Sequence, residues 1–290
     1  MKIIRYLIES TIIIIFFLVF KIIGVKNSSD FGGYIGKHLG PFFRKKETIV
    51  QNILFAIPNI SKKEINILID KMWENVGRVF GEYVHLKKFS IYDKTKIKIN
   101  FLSKINIEKL KNYNKPIVFF SGHFSNFELM GVCLKELNFK IGVMYRPLNN
   151  FFINIIWEII KKNSYSILIE KGNKGSKKLI NHVKQNNSLG LLVDQRLSSS
   201  IYVPFFSKPA TTTITPAKLA LKYDAILIPM FIKRINKIEF EFFIDEPLII
   251  NKTNDYQKDI FNITENMNKK IEGFIKTNPD QWFWLHNRWK

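Results

Sequence analysis

The sequence predicts an α/β fold, a mixed sheet flanked by helices, entered through an apolar helix and a helical N-terminal region. Three observations carry this. From Lys115 onward, short apolar runs bounded by turn residues alternate with amphipathic stretches, the pattern of a largely parallel sheet with helices packed on it. Residues 47–86 carry apolar positions at helical spacing. Tyr6 to Ile23 is mostly apolar, with Ile12 to Phe20 uninterrupted.

The elements follow in order. Eighteen helical residues from Tyr6 to Ile23 rise about 27 Å, enough to match the hydrocarbon core of a bilayer. Gly24-Val25-Lys26-Asn27 makes a poor cleavage site, so a retained anchor (residues 1–25) is expected rather than a signal peptide. Lys2 and Arg5 precede the segment. Lys21, Lys26, Lys37 and Arg44-Lys45-Lys46 follow it, which places the main domain, residues 26–290, in the cytoplasm beneath a single-pass helix. Gly32 to Phe43 is Gly-rich and basic and reads as a short helix or loop near the membrane. Glu47 to Ile57 reads as a helix. Ser61-Lys62-Lys63-Glu64 fits a capping box, and the helix it starts runs to about Leu86 with Ile65, Leu68, Ile69, Met72, Trp73, Val76, Val79 and Phe80 on its core side. Residues 87–112 are polar, with alternating pieces such as Ile97 to Phe101. The α/β core, 115–290, has candidate strands at 116–120, 140–145, 166–170, 189–193, 225–231 and 238–245. Its candidate helices are 127–138, 150–162, 174–186, 213–223 and 256–277.

Composition bounds the function. Hydrophobic residues make up 46% and include 26 Phe, so a large core is available and a disordered chain is excluded. Net charge is +21, from 45 Lys+Arg against 24 Asp+Glu, which favours anionic partners. Charge alone does not choose among nucleic acid, an anionic membrane, phosphorylated substrates and an acidic carrier protein. With no basic block or recognisable nucleic-acid motif, nucleic acid is not expected. The single Cys133 sits among apolar neighbours and reads as a small buried hydrophobe, and no Cys/His spacing suggests a metal.

The chemistry concentrates where strands end. Ser121-Gly122-His123-Phe124-Ser125-Asn126-Phe127-Glu128 joins an apolar strand to a packed helix. An imidazole held by a carboxylate is a general base that works near neutral pH. Residues five apart on a helix point about 140° apart, so His123 and Glu128 meet only with His123 in the turn and Glu128 in the first helical turns. Backbone N–H groups near Gly122 or the helix start are candidates to receive an oxyanion. Ser125 lacks the surrounding of a nucleophile elbow and reads as a local cap. Tyr145-Arg146-Pro147 follows a strand, and Arg146 can clamp a phosphate or carboxylate. Asp194-Gln195-Arg196 caps another strand; Asp194 can orient a hydroxyl, hold an Arg or cap a turn. The run Pro204 to Thr213 reads as the N-cap region before an apolar helix, and its Phe pair and threonines could also line an acyl channel. At the C-terminus, three Trp among basic residues suit either an interface or docking on the core, and docking is expected for most of them.

These clusters, in this order, resemble the lipid A biosynthesis acyltransferases of the late, lauroyl/myristoyl type. The resemblance rests on Ser121-Gly122-His123 to Glu128, Tyr145-Arg146-Pro147, Asp194-Gln195-Arg196, Phe205-Phe206 with Thr211-Thr212-Thr213, and Trp284-Leu285-His286 with Arg288-Trp289-Lys290. It implies a glycerolipid-acyltransferase-like sheet and an enzyme of the bacterial inner membrane. Its reaction would be transfer of a fatty acyl chain from acyl carrier protein to a hydroxyl of a lipid A precursor, usually the 3-hydroxyl of an acyl chain already on the glucosamine disaccharide. No cofactor is implied. His123 and Glu128 match the family's catalytic pair, with direct transfer and no acyl-enzyme. Arg146, Asp194, Gln195 and Arg196 are candidates for binding substrate. Lys161 and Lys162 stand where Arg is usual, and Asn287 where another Arg is common. Acylation of another glycolipid or glycerophospholipid is the alternative within enzymes; a scaffold binding anionic lipid is the alternative outside them.

Overall fold

The computed structural model describes residues 2–196 and 200–289. Met1 of the anchor segment and Lys290 of the C-terminal cluster lie outside the described residues.

The chain begins with helix α1, Lys2–Leu39, broken at Gly24, whose φ of 79° and ψ of 170° are open to glycine at little cost. His85 takes up the carbonyl of Phe20, four residues before that break, at 2.9 Å. Helix α2 is Lys46–Ala56 and α3 is Lys62–Glu82, started by the expected capping box between Ser61 and Glu64. The short strand β1, Phe89–Ser90, and β2, Ile97–Ser103, follow, then the short α4, Ile107–Lys111. The core alternates β3 Ile117–Ser121, α5 Glu128–Glu136, β4 Ile141–Tyr145, α6 Phe151–Lys161, β5 Ile167–Glu170, α7 Asn173–Lys184 and β6 Ser188–Leu192. A hairpin of β7, Ser200–Phe205, and β8, Lys208–Thr213, comes next. Then come α8 Thr215–Tyr223, β9 Ile226–Asn236, β10 Glu239–Ile244 and α9 Tyr256–Thr277.

Eight strands form one sheet in the order β1-β2-β10-β9-β3-β6-β4-β5, parallel throughout except where β9 meets β10. The central strand β3 is buried on both faces, which is why it reads as an unbroken apolar run. Val118 and Phe120 enter the core beneath α3, α7, α8 and α9, while Ile117 and Phe119 enter the core beneath α5. The four strands β3, β6, β4 and β5 are parallel neighbours, so their carboxyl ends share one edge. Sites in such sheets lie outside that edge.

Two expectations change. Gly32 to Phe43 is helical, one of the two expected forms, but no separate short element: α1 continues through it to Leu39, lying directly on α3. A Cβ at Gly77 would run into the carbonyl of Gly32, and one at Gly81 into that of Ser28, so the backbones touch. The run Pro204 to Thr213 is no helix cap but the β7–β8 hairpin. Phe206 and Ser207 form its two-residue turn with φ of 50° and 59°. Such turns are normally announced by Asn or Gly, and here nothing announces it.

The N-terminal half of α1 is long and apolar enough to cross a membrane. One side of it packs on the domain: Phe17 and Phe20 are buried with Val79 and Tyr83, and Ile156 and Trp157 of α6 join them. The other side exposes Ile4, Ile8, Ile15, Leu18 and Ile22.

Candidate active site

Three of the sequence motifs leave the sheet at the carboxyl ends of adjacent strands. Ser121-Gly122-His123 follows β3, Asp194-Gln195-Arg196 follows β6, and Tyr145-Arg146-Pro147 ends β4. Val193 N–H donates to the Ser121 carbonyl at 2.8 Å and carries the pairing one residue past the strands, setting Asp194 opposite His123.

The partner of His123 is Asp194. The imidazole Nδ1 lies 2.8 Å from Asp194 Oδ1, and the His123 backbone N–H donates to Oδ2 at 2.7 Å. Trp282 Nε1–H donates to the same Oδ2 at 2.7 Å. A carboxylate only accepts, so Nδ1 carries the proton and Nε2 presents a lone pair. Gln195 places its side-chain nitrogen 3.3 Å from that Nε2. Burial opposes a charge on Asp194. The His123 ring and backbone N–H and the Trp282 N–H outweigh it and hold the carboxyl down at about 2. Gly122 makes room for this: a Cβ there would sit 3.0 Å from Asp194 Oδ2 and 2.8 Å from the Phe124 ring.

Glu128 does not hold His123, contrary to the expectation. The carboxyl is fully buried at the start of α5 and accepts from Tyr83 Oη at 2.5 Å and Tyr165 Oη at 3.1 Å, with Lys161 Nζ 3.1 Å away. Burial, reinforced by Glu128, drives both tyrosine hydroxyls well above their usual titration range, so they remain donors. The reason is geometric. The turn Phe124–Phe127 bends at Ser125, φ 46°, and is pinned by Asn126 to Glu82 at 2.8 Å, which sends Glu128 to the far wall.

Both residues line one cavity of about 610 Å³. Met130, Leu134, Ile141, Val143 and Met230 furnish an apolar interior, while Arg146, Lys161, Lys171 and Arg196 stand as cations on its wall. Arg146 and Arg196 are exposed, and Gln195 is half-buried. Lys162 is exposed, closes α6 and is absent from this wall. The Phe205-Phe206 pair does not line the cavity either; it packs against Trp289, and Phe205 also against Trp282. Thr213 and Thr215 do line it.

The C-terminal segment docks as expected, and more closely. Trp282 and Trp284 are buried, Phe124 and Trp282 form a β-bridge, and Phe283 N–H donates to the His123 carbonyl at 3.1 Å. Arg288 is wholly buried, donating to the Thr211 carbonyl and to Thr212 Oγ1, the latter at 2.7 Å. Burial lowers its guanidinium to about 10. His286 reaches the cavity wall. The N–H groups of His123, Phe124 and Ser125 are all engaged, by Asp194, Gly122 and Gln281, so they are not available to an oxyanion. Ser125 Oγ is buried with no hydrogen-bond partner among the described residues, and none of those activates it as a nucleophile.

Four residues of the site escaped the sequence reading of its chemistry: Trp282, as the third donor to Asp194, Tyr83 and Tyr165 on Glu128, and Lys171. Lys171 had a signal, since it directly follows β5 at the same carboxyl edge. Trp282 had none, because its partner lies 88 positions away.

The sequence matches the family model for bacterial lipid A biosynthesis acyltransferases over residues 1–290. A lipid A biosynthesis acyltransferase of Haemophilus influenzae is 24% identical over 278 residues, covering 94% of this chain and 84% of that protein. The Escherichia coli lipid A biosynthesis palmitoleoyltransferase is 23% identical over 268 residues, covering 89% and 83%. The Escherichia coli lauroyltransferase is 26% identical over 262 residues, covering 88% and 83%.

Proposed function

The chain belongs to the bacterial lipid A biosynthesis acyltransferases, and from that premise we propose that it moves a fatty acyl chain from acyl carrier protein to a hydroxyl of a lipid A precursor by direct transfer. The observation that carries the mechanism is the Asp194–His123 pair, whose imidazole lines a cavity with an apolar interior. His123 Nε2 takes the proton of the acceptor hydroxyl as its oxygen attacks the thioester carbonyl. Asp194 holds the tautomer and stabilises the imidazolium that forms. The tetrahedral intermediate then expels the carrier thiolate, which recovers the proton from His123. With the N–H groups of His123, Phe124 and Ser125 engaged, the Gln195 amide beside Nε2 is a side-chain donor at hand for the oxyanion.

Glu128 acts on the opposite wall. It positions Tyr83, Tyr165 and Lys161, and Lys161 stands in the cationic rim with Arg146, Lys171 and Arg196. That rim suits the phosphates of the acceptor and the acidic carrier, and the net charge of +21 suits both. The Met130–Val143 interior suits an acyl chain. Helix α1 keeps the catalytic domain at the cytoplasmic face of the inner membrane, where such substrates meet.

In vitro transfer from acyl-carrier protein to a lipid A precursor tests the assignment. His123→Ala is expected to lose on the order of 10²–10⁴-fold in kcat with its circular dichroism unchanged; undiminished turnover overturns the role of His123. Mass spectrometry of lipids from cells with and without the protein tests the acceptor. A mass difference confined to glycerophospholipids would overturn lipid A as acceptor in favour of the other lipid class.

A further inference from the structure

The expected single-pass helix conflicts with what α1 touches. From Tyr6 to Phe20 one side of α1 is occupied by the domain. Ser10 Oγ donates to Asn150 Oδ1 at 3.2 Å, Asn150 Nδ2 donates to the Tyr6 carbonyl at 2.9 Å, and Phe17 and Phe20 are buried with Tyr83 and α6. Fifteen residues of helix extend about 22 Å. A crossing would therefore carry α6 and its neighbours into the hydrocarbon alongside α1. That stretch includes Asn150, Asn154 and Glu158, the last bonded to Tyr145 Oη at 2.7 Å. Polar groups at that depth are costly.

Helix α6 is unusual in its own right. Apolar side chains occupy most of its length, yet none is buried. Ile156, Trp157 and Ile160 lean on α1 and Tyr83, while Phe151, Ile155 and Ile159, at i, i+4 and i+8, form a stripe facing outward. On the neighbouring α1, which touches α6 through Phe17, Phe20, Ile156 and Trp157, Ile4, Ile8, Ile15, Leu18 and Ile22 are exposed as well. Exposed Lys21, Lys26 and Lys162 stand together at the C-terminal end of the α6 stripe. An apolar face with cations at one end fits the boundary between headgroups and acyl chains.

We propose that α1 and α6 together form a monotopic seat: both helices lie in one leaflet of an anionic phospholipid bilayer, and α1 does not cross it. The inference rests on the reading of α1 as the membrane attachment and deepens it. The cavity wall at Arg146, Leu148, Trp157 and Lys161 belongs to α6 and the turn before it, so α6 is shared between the seat and the cavity wall. The acceptor lipid then reaches His123 without leaving the leaflet, while the donor chain arrives on the carrier protein.

Depth measurements on the full chain in phosphatidylcholine–phosphatidylglycerol vesicles test this. Single environment-sensitive labels are placed at Ile4→Cys, Ile15→Cys and Ile22→Cys on α1, Ile155→Cys and Ile159→Cys on α6, and Lys258→Cys on the exposed side of α9. Cys133 is buried and stays unlabelled. The expected result is a blue shift and quenching by shallowly brominated lipid at all five α1 and α6 positions, to similar depth, with Lys258→Cys unaffected. A profile along α1 deepest at position 15 and shallow on opposite sides at 4 and 22 overturns the proposal in favour of a span. Quenching on α1 with α6 labels left in water overturns it while the attachment through α1 stands. Labels on neither helix entering lipid overturn both. Shielding on α6 that brominated lipid cannot quench overturns it too, since a second copy of the chain would then cover the face.

Discussion

At the scale of the residue, the reaction depends on which carboxyl meets His123. The motif suggests Glu128, five positions away in sequence; folding supplies Asp194, 71 positions away. Two substitutions separate them. Asp194→Asn leaves the shape nearly unchanged but removes the acceptor that sets the His123 tautomer, and kcat is expected to fall on the order of 10³–10⁴-fold. Glu128→Gln is expected to raise KM more than it lowers kcat, and to leave the acid limb of the pH–rate profile in place. Equal loss of kcat in both variants, with the acid limb moved by Glu128→Gln, would restore Glu128 as the partner. Asp194 also marks stability. Its folded pKa of about 2 lies below the ordinary 3.8, so its contribution is fully present above about pH 4 and is lost as pH falls toward 2. The contribution is on the order of 2 kcal/mol. Urea midpoints of the native protein and Asp194→Asn should therefore converge across that window, and a constant difference would contradict the ion pair.

At the scale of the element, α1 and α3 approach backbone to backbone because Gly32, Gly36, Gly77 and Gly81 leave no side chain between them. Gly77→Val is expected to destabilise by about 3 kcal/mol or more, since rigid backbone rather than a movable side chain would receive the new atoms. Gly273→Ala, on the open side of α9 with nothing near its Cβ, is expected to stabilise by roughly 0.5–1 kcal/mol. Thermal unfolding of both variants checks the pair, and equal shifts would mean that α1 is only loosely held. The glycines were legible as a cluster but not as a contact, because their counterparts sit on another helix some 45 positions away.

At the scale of the whole molecule, the apolar N-terminus is part of the domain's own packing. Removing residues 2–23 uncovers Val79, Phe80, Tyr83 and Trp157 and discards the buried Phe17 and Phe20. The loss is on the order of 3–6 kcal/mol from the two phenylalanines alone. The truncated chain is expected to aggregate in detergent-free buffer; a monodisperse product with an unchanged Tm in sedimentation and calorimetry would show that α1 is a detachable tether. The alternation of strands and helices, the burial of β3 on both faces, the capping box at Ser61 and the presence of His123 at a strand end all follow from local periodicity and turn chemistry, which act between neighbours along the chain. The sequence by itself determined those. The strand order was decided only in three dimensions, and with it the meeting of His123 with Asp194, Trp282 behind them, Glu128 turned to the far wall, and α1 laid along α6. Each of these depends on which carboxyl edges and helix faces come to lie side by side, and pairing between distant segments leaves no period in the sequence to read.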